Sequence, residues 1–349
     1  MAVTAPARIV INGFGRIGRT FVRRAAENSA VWANNIAVND LVGAETLVHL
    51  LKYDSNHGVM NRTVTCDADN IYVDGKAISV TSIRDPLQAI SMNSAEGSPT
   101  LLIDSTGIFS SKYYATACEA DFDNLIVTWP DQGANLHVIM GVNDNLIDPH
   151  VQKFFSTASP SANAAVPVLK VLNEEFGLDW ATVGVTCPMT NDQRIVDLPH
   201  KDPRRARSAS DSIIPVPTGI ASYFAAAPEL TGKVMPAQAR RVPVTLGLLA
   251  EITAKLSDAP AGEAGINEAL IRASKVKGSA IGTTEEEIVS TDLRHEPLSL
   301  VPSLVDLGLT RFWPKEGLVS LSVWQNNEMG YVTQLIRLTE ALMRYYAGK

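Results

Sequence analysis

The sequence predicts an α/β protein of two domains, the first built on an open parallel sheet and the second a mixed α+β domain. Three observations predict it. The 349 residues suffice for two separate cores. Short apolar runs alternate with helical patterns in the first half, whereas strand-like runs with few helices fill the second. Between the halves, Ser156-Thr-Ala-Ser159-Pro160-Ser161-Ala-Asn163 closes an apolar run and opens a helix. Hydrophobic residues make up 46% and charged residues 19%, the balance of an ordinary globular protein. The net charge of −7 argues against nucleic acid as a general partner. No apolar run approaches the length of a membrane span, and residues 1–8 lack the pattern of a signal peptide. Cys66, Cys118 and Cys187 are too few and too scattered for a disulfide framework or a zinc cluster. The expectation is a cytoplasmic enzyme-sized protein with reduced thiols, no membrane partner and no metal.

Residues 7–12 form a short apolar run suited to a buried parallel strand. Gly13-Phe14-Gly15-Arg16-Ile17-Gly18 follows, then a helical stretch through Phe21, Val22 and Ala25, then a second strand, 36–40, ending in Asp40. Strand, G-x-G-x-x-G, helix, strand and terminal acid is the full context of a dinucleotide site. Gly13 permits the tight turn, Gly15 the approach of the pyrophosphate, and Gly18 the close packing of helix on strand. Asp40 would accept hydrogen bonds from the adenosine ribose and repel a 2′-phosphate, which favours NAD over NADP. The first domain is therefore expected to be a Rossmann-type NAD-binding domain. Residues 45–51 read as helix, and 100–103 and 124–127 as buried strands. The first of these strands runs into Ser105-Thr106-Gly107, a small-residue loop at a strand's carboxyl end, where a cofactor lies in such sheets. Residues 137–143 read as a further strand and turn.

Ser159 is a good helix N-cap and Pro160 suits the first helical position, so the helix 159–176 starts cleanly and its N-terminus attracts anions. Pro167 should cost this helix a hydrogen bond and bend its second turn. Residues 180–186 read as a strand entering a long polar excursion, 190–207; loops of this length inside a compact domain are usually functional. Strands are expected at 242–252 and 317–324, a helix at 264–274, and a closing amphipathic helix at 331–346 with Val332, Leu335, Leu338, Leu342 and Met343 inward. The expected domains are 1–158 plus 327–349, and 159–326.

The chain resembles the phosphorylating glyceraldehyde-3-phosphate dehydrogenases along nearly its whole length. The resemblance rests on Ile11-Asn-Gly-Phe-Gly-Arg-Ile-Gly-Arg19, Lys52-Tyr-Asp-Ser-Asn-His-Gly58, Arg84-Asp-Pro86, Ser105-Thr-Gly107 and Thr190-Asn-Asp-Gln-Arg-Ile-Val-Asp-Leu-Pro-His-Lys-Asp202. Ile213-Ile-Pro215, Pro217-Thr-Gly219, Arg241-Val-Pro243 and Trp324-Gln-Asn-Asn-Glu-Met-Gly-Tyr331 complete it. It implies a Rossmann-type cofactor domain, a mixed-sheet α+β catalytic-type domain, and a homotetramer in which the long loop walls a neighbour's cofactor pocket. For the cofactor it implies the fingerprint residues with Asp40, Arg84, Ser105, Thr106, Gly107 and Thr128, and Asn327 holding the nicotinamide carboxamide beside Tyr331. For a phosphorylated or anionic small molecule it implies Ser159, Ser161 in place of a threonine, Thr190, Arg205, Thr218, Gly219 and Arg241.

The chemistry transfers less completely. In the family a thiolate attacks an aldehyde, hydride passes to NAD, and inorganic phosphate cleaves the thioester. The nucleophile sits in Ala-Ser-Cys-Thr-Thr-Asn, which here reads Ala158-Ser-Pro160-Ser-Ala-Asn163. The histidine that activates it sits in Val-His-Ala-Ile-Thr, here Thr186-Cys187-Pro-Met-Thr190. Proline has no nucleophilic atom, so no thioester can form there. After Arg241-Val-Pro243 the family's Thr-x-Asn-Val-Ser-Val strand is replaced by Val244-Thr-Leu-Gly-Leu-Leu249, which could re-aim Arg241. Three readings stay open: a repurposed NAD-dependent oxidoreductase without a thioester, a catalytically silent NAD- and anion-binding scaffold, and a relocated nucleophile at Cys187. His57 and His200 are expected to orient loops, and His137 to lie in a strand.

Overall fold

The computed structural model describes residues 7–27, 29–93, 98–115, 122–217, 226–235 and 238–347. The chain forms two compact units, one of Met1–Val138, Asp144–Ala158 and Val332–Lys349, the other of Ile139–Asn143 and Ser159–Tyr331.

The first unit holds strands β1 Arg8–Asn12, β2 Asn35–Asn39, β3 Tyr53–Asp54, β4 Gly58–Val59, β5 Val64–Cys66, β6 Asn70–Val73, β7 Lys76–Thr81, β8 Thr100–Asp104, β9 Asn124–Val127, β10 Leu136–His137 and β11 Phe154–Ser156. Its helices are α1 Arg16–Ala25, α2 Ala44–Lys52, α3 Pro86–Asn93 and α4 Ser111–Tyr114. The main sheet runs β10-β11-β9-β8-β1-β2-β7-β6-β5, parallel from β10 to β7 and antiparallel over β7, β6 and β5. β8 and β9 are buried at every position, as parallel strands covered on both faces must be. Chain order reverses between β1 and β8, which opens a crevice at their carboxyl ends.

The second unit holds α5 Pro160–Phe176, β12 Leu178–Pro188, β13 Ile214–Val216, β14 Gln238–Val242, β15 Leu248–Leu256, α6 Gly262–Ser274, β16 Ile281–Thr284, β17 Ser303–Trp313 and β18 Leu318–Gln325. Its sheet runs β13-β14-β12-β15-β18-β17-β16 and is mixed, with β12–β14 and β16–β17 parallel and the other pairs antiparallel. β12, β15 and β18 alternate buried and half-exposed positions, and α5 packs across them and β17. The closing helix, α7 Met329–Ala347, buries Val332, Leu335, Leu338 and Leu342 as expected, with Met343 half-buried.

Several expectations need correction. Residues 137–143 do hold a strand end and a turn, with the strand stopping at His137: Gly141 takes φ 88° and the Asn143 Oδ1 accepts from the Ile139 N–H at 2.9 Å, closing the turn. The strand expected over 242–252 is two strands, since Pro243 cannot donate to a ladder and Gly247 adopts φ 91°. β5 to β7, β13, β16 and β17 were not expected at all. The helix does continue through Pro167, whose neighbours Val166, Val168 and Leu169 are fully buried. Burial at about 2 kcal/mol for each such side chain outweighs the roughly 3 kcal/mol that an interior proline costs.

Candidate functional site

In the first unit the glycine turn joins β1 to α1. Gly13 has φ 88°, and a Cβ on it would lie 2.8 Å from the Thr106 methyl carbon. A Cβ on Gly18 would lie 2.5 Å from the Gly13 carbonyl oxygen, so helix and turn approach as only glycine allows. Gly15, by contrast, faces open space, and no side chain caps the start of α1. The amides of a helix's first turn have no partner within the helix, so an uncapped start of this kind suits an anion. The Phe14 N–H donates to Asp40 Oδ2 at 2.7 Å and the Val42 N–H to Asp40 Oδ1 at 3.0 Å, which fixes the carboxylate beside the turn with lone pairs to spare. The open glycine, uncapped helix and oriented acid fit a dinucleotide. Arg16 forks onto Asp54; burial pushes that carboxyl up, but Arg16 and the His57 and Asn56 N–H groups pull it further down, to about 2. Ser105 Oγ donates to the Gly13 carbonyl at 2.6 Å, Thr106 is held by Asp104, and Gly107 takes φ 69°. The Thr128 N–H donates to the Asp104 carbonyl at 3.0 Å, and Arg84 is exposed after β7. Ile17 is half-buried in the first turn of α1.

The second unit contains the helix start. Ser159 Oγ accepts from the Ala162 N–H at 3.2 Å and Pro160 occupies the first helical position, the cap the sequence predicts. Ser161, one residue on, is buried and its hydroxyl hydrogen-bonds Cys187 near the end of β12. Cys187 and Arg241 are register partners on β12 and β14. The thiol is 6% exposed; burial pushes its pKa up, while the Arg241 guanidinium and the Ser161 hydroxyl pull it partway back. Arg241 Nη1 donates to the Pro188 carbonyl at 2.8 Å, and its Nε is buried without a hydrogen-bond partner. Ser161, Cys187 and Arg241 are thus one cluster of hydrogen-bond donors.

The long loop after β12 is tied by its own charges. Arg205 is paired with Asp192 and lies 3.3 Å from Asp202, and His200 Nε2 lies 3.4 Å from Asp192. The Asp202 N–H donates to His200 Nδ1 at 2.9 Å, so His200 orients the loop. Thr190 is exposed, with its N–H and hydroxyl both on Gln193 Oε1 at 3.0 Å. Thr218 and Gly219 lie outside the described residues. Asn327 Oδ1 accepts from the Gly247 N–H at 3.1 Å, which fixes its side-chain amide; Tyr331 is buried at 1% exposure. Among the described residues no group of three His, Cys, Asp or Glu side chains could hold a metal ion, and no helix is long and apolar enough to cross a membrane. His137 ends β10, and burial favours its neutral form.

Sequence reasoning missed Asn12, Asp104 and Tyr114, which form a buried hydrogen-bonded group under the glycine turn, and Gly247, which orients Asn327. A polar residue ending each of two apolar strands was the available signal for Asn12 and Asp104; nothing in the sequence pointed to Tyr114.

Fold and turn together define a dinucleotide-binding protein with a separate α+β unit. Residues 7–112 match the glyceraldehyde 3-phosphate dehydrogenase NAD binding domain, and residues 159–327 match the glyceraldehyde 3-phosphate dehydrogenase C-terminal domain. The glyceraldehyde-3-phosphate dehydrogenase of Borreliella burgdorferi is 38% identical over 347 residues, covering 97% of this chain and 100% of that protein. Those of Geobacillus stearothermophilus and Streptomyces coelicolor are each 38% identical, over 95% of this chain and 96% and 97% of theirs. The chain belongs to the glyceraldehyde-3-phosphate dehydrogenase family, and its cofactor is NAD.

Proposed function

We propose that this chain is a repurposed NAD-dependent oxidoreductase that acts on a phosphorylated or anionic small molecule without a thioester. Pro160 stands at the family's nucleophile position and Cys187 at the position of its base. NAD, when bound, supplies the hydride-exchanging carbon. The observation that carries the reading is Asn327, whose Oδ1 is fixed by Gly247 so that its Nδ2 can donate to a nicotinamide carboxamide. A protein that needed the dinucleotide only as a structural ligand would gain nothing from orienting that end. Ser161, the protonated Cys187 and Arg241 are donors, which suits them to a developing alkoxide. In carbonyl reduction the carbon would take hydride from NADH, which becomes NAD, and the oxygen a proton from this donor cluster. Ser159, Ser161 and Arg241 form the proposed anion site; Arg205 is engaged by Asp192 and Asp202 instead.

A catalytically silent NAD- and anion-binding scaffold is the second reading. It is favoured by Cys187 itself, a buried protonated thiol where a base would be needed. Calorimetry with NAD, followed by NADH absorbance with panels of phosphorylated aldehydes and alcohols, separates the two. Turnover supports the oxidoreductase, and tight NAD binding with no absorbance change on any substrate supports the scaffold. A nucleophilic Cys187 is disfavoured by its burial: iodoacetamide should label it at least tenfold more slowly than an unfolded thiol. Exposed Ile195, Val196 and Leu198 on the long loop support a homotetramer, which sedimentation equilibrium tests.

A further inference from the structure

Under the glycine turn of the first unit runs a buried polar chain that begins at the strand-order reversal. Asn12 and Asp104 are register partners at the ends of β1 and β8. Asp104 is 0% exposed, Tyr114 1% and Asn12 4%. Four donors converge on the Asp104 carboxylate. The Tyr114 hydroxyl and Asn12 Nδ2, the latter at 3.4 Å, reach Oδ2. The Thr106 N–H and hydroxyl both reach Oδ1 at 2.7 Å. A carboxylate so enclosed is held charged only by such donors.

What this does lies at Thr106. With its hydroxyl turned to Asp104, its methyl carbon fills the space beside the Cα of Gly13. The same hydroxyl accepts from the Ile108 N–H at 3.1 Å, and Ser105 ties the loop to the Gly13 carbonyl. The loop is thereby locked against the underside of the turn. The hydroxyl of Tyr114 is itself well placed, because its ring is seated in a core with Val10, Leu102 and Phe122 and stands edge-on to Phe122 at 6.3 Å.

We propose that Tyr114 is a positioning residue for NAD: through Asp104 it holds Thr106 against Gly13 and so keeps the glycine turn in the shape that receives the dinucleotide. The inference rests on NAD as cofactor, which the wild-type titration below checks separately. Asp104 is the group on which the chain turns. Burial pushes its pKa up, and Tyr114, Thr106 and Asn12 pull it back. Among the described residues Tyr114, from α4, is the ionisable group acting on it; burial and Asp104 hold the phenol well above its ordinary range, with Tyr113 adding slightly. Asn12 from β1 and Thr106 from the loop are neutral. Removing the Tyr114 hydroxyl takes one of the four donors from the Asp104 carboxylate and loosens the group that holds Thr106.

The test is calorimetric titration of the full chain with NAD, for wild type, Tyr114→Phe, Asp104→Asn and the double variant, with the melting temperature of each. Tyr114→Phe keeps the ring and its packing. It should bind NAD about tenfold more weakly, as loss of a hydrogen bond to a charged group would give. Asp104→Asn should bind more weakly still, and the double variant should bind like Asp104→Asn, because the tyrosine acts through that carboxylate. The proposal is overturned if Tyr114→Phe binds like wild type, or if its loss adds in full to that of Asp104→Asn. A purely structural tyrosine would give the second of these results, together with a lowered melting temperature.

Discussion

The glycine turn at Gly13–Gly18 and the helix start at Ser159–Ser161 are both N-terminal ends of helices, yet they carry their information differently. The first is written in backbone: Gly13 at φ 88°, Gly18 with no room for a Cβ, Gly15 facing open space. Its binding capacity belongs to amides that any sequence with those glycines would present. The second has an equally well-made start, with Ser159 capping Ala162 and Pro160 in the first turn. Its Pro160 carries no reacting atom, and no backbone geometry can supply one. A binding site made of main chain is fixed by where glycines and helix starts fall, whereas side-chain chemistry rests on single atoms.

The sharpest way to break the comparison is Gly18→Ala, whose Cβ would meet the Gly13 carbonyl oxygen at 2.5 Å, a backbone atom that cannot swing aside, with the Ile11 and Ser105 side chains at 3.3 Å. It should cost at least about 3 kcal/mol in denaturant unfolding and remove NAD binding from calorimetry. Next in size is Asp54, which ties Arg16 at the first turn of α1. Its carboxyl is lowered from 3.8 to about 2, so it contributes roughly 2 kcal/mol at neutral pH. That contribution is fully present above the unfolded value and lost as pH falls through the folded one. Unfolding followed between pH 5 and pH 2 should show a loss of about 2 kcal/mol, absent in Asp54→Asn. Ser159→Ala should cost about 1 kcal/mol by removing the cap, whereas Ser159→Asn should stay near wild type; thermal unfolding distinguishes them. Smallest of all should be Pro160→Ala, within about 0.5 kcal/mol, because the first helical position tolerates either residue. A loss as large as that of Gly18→Ala would mean that the second site, too, is set by its backbone.

The glycine turn, Asp40 and the Ser159 cap were legible because each is a local event within a few residues. α5 and α7 were legible from their apolar spacing. β17 was not: its burial runs through five consecutive positions, then breaks around Gly308 with a shifted register between Asp306 and Arg311, so no alternation shows. The meander of β5 to β7 hides among Asp67, Asn70 and Asp74, whose side chains serve its turns and bonds. At the candidate site, Arg205 reads in sequence as an anion ligand, but the fold sets it between Asp192 and Asp202, a pairing that depends on the path of the loop. Tyr114 reaches Asp104 only because α4 returns it to the end of β8. Contacts made by such returns leave no periodic trace in a sequence.

Cys187 has one more consequence, for the oxidant sensitivity of the protein. Peroxide attacks thiolates, and its rate follows both ionisation and exposure. Cys187 is protonated by burial and 6% exposed, and Pro160 has no sulfur to oxidise. A protein whose activity passed through a thioester would stop when its thiolate became a sulfenic acid. Cys187 therefore presents little thiolate to peroxide, and dinucleotide binding, which rests on the backbone of the glycine turn, should not depend on its oxidation.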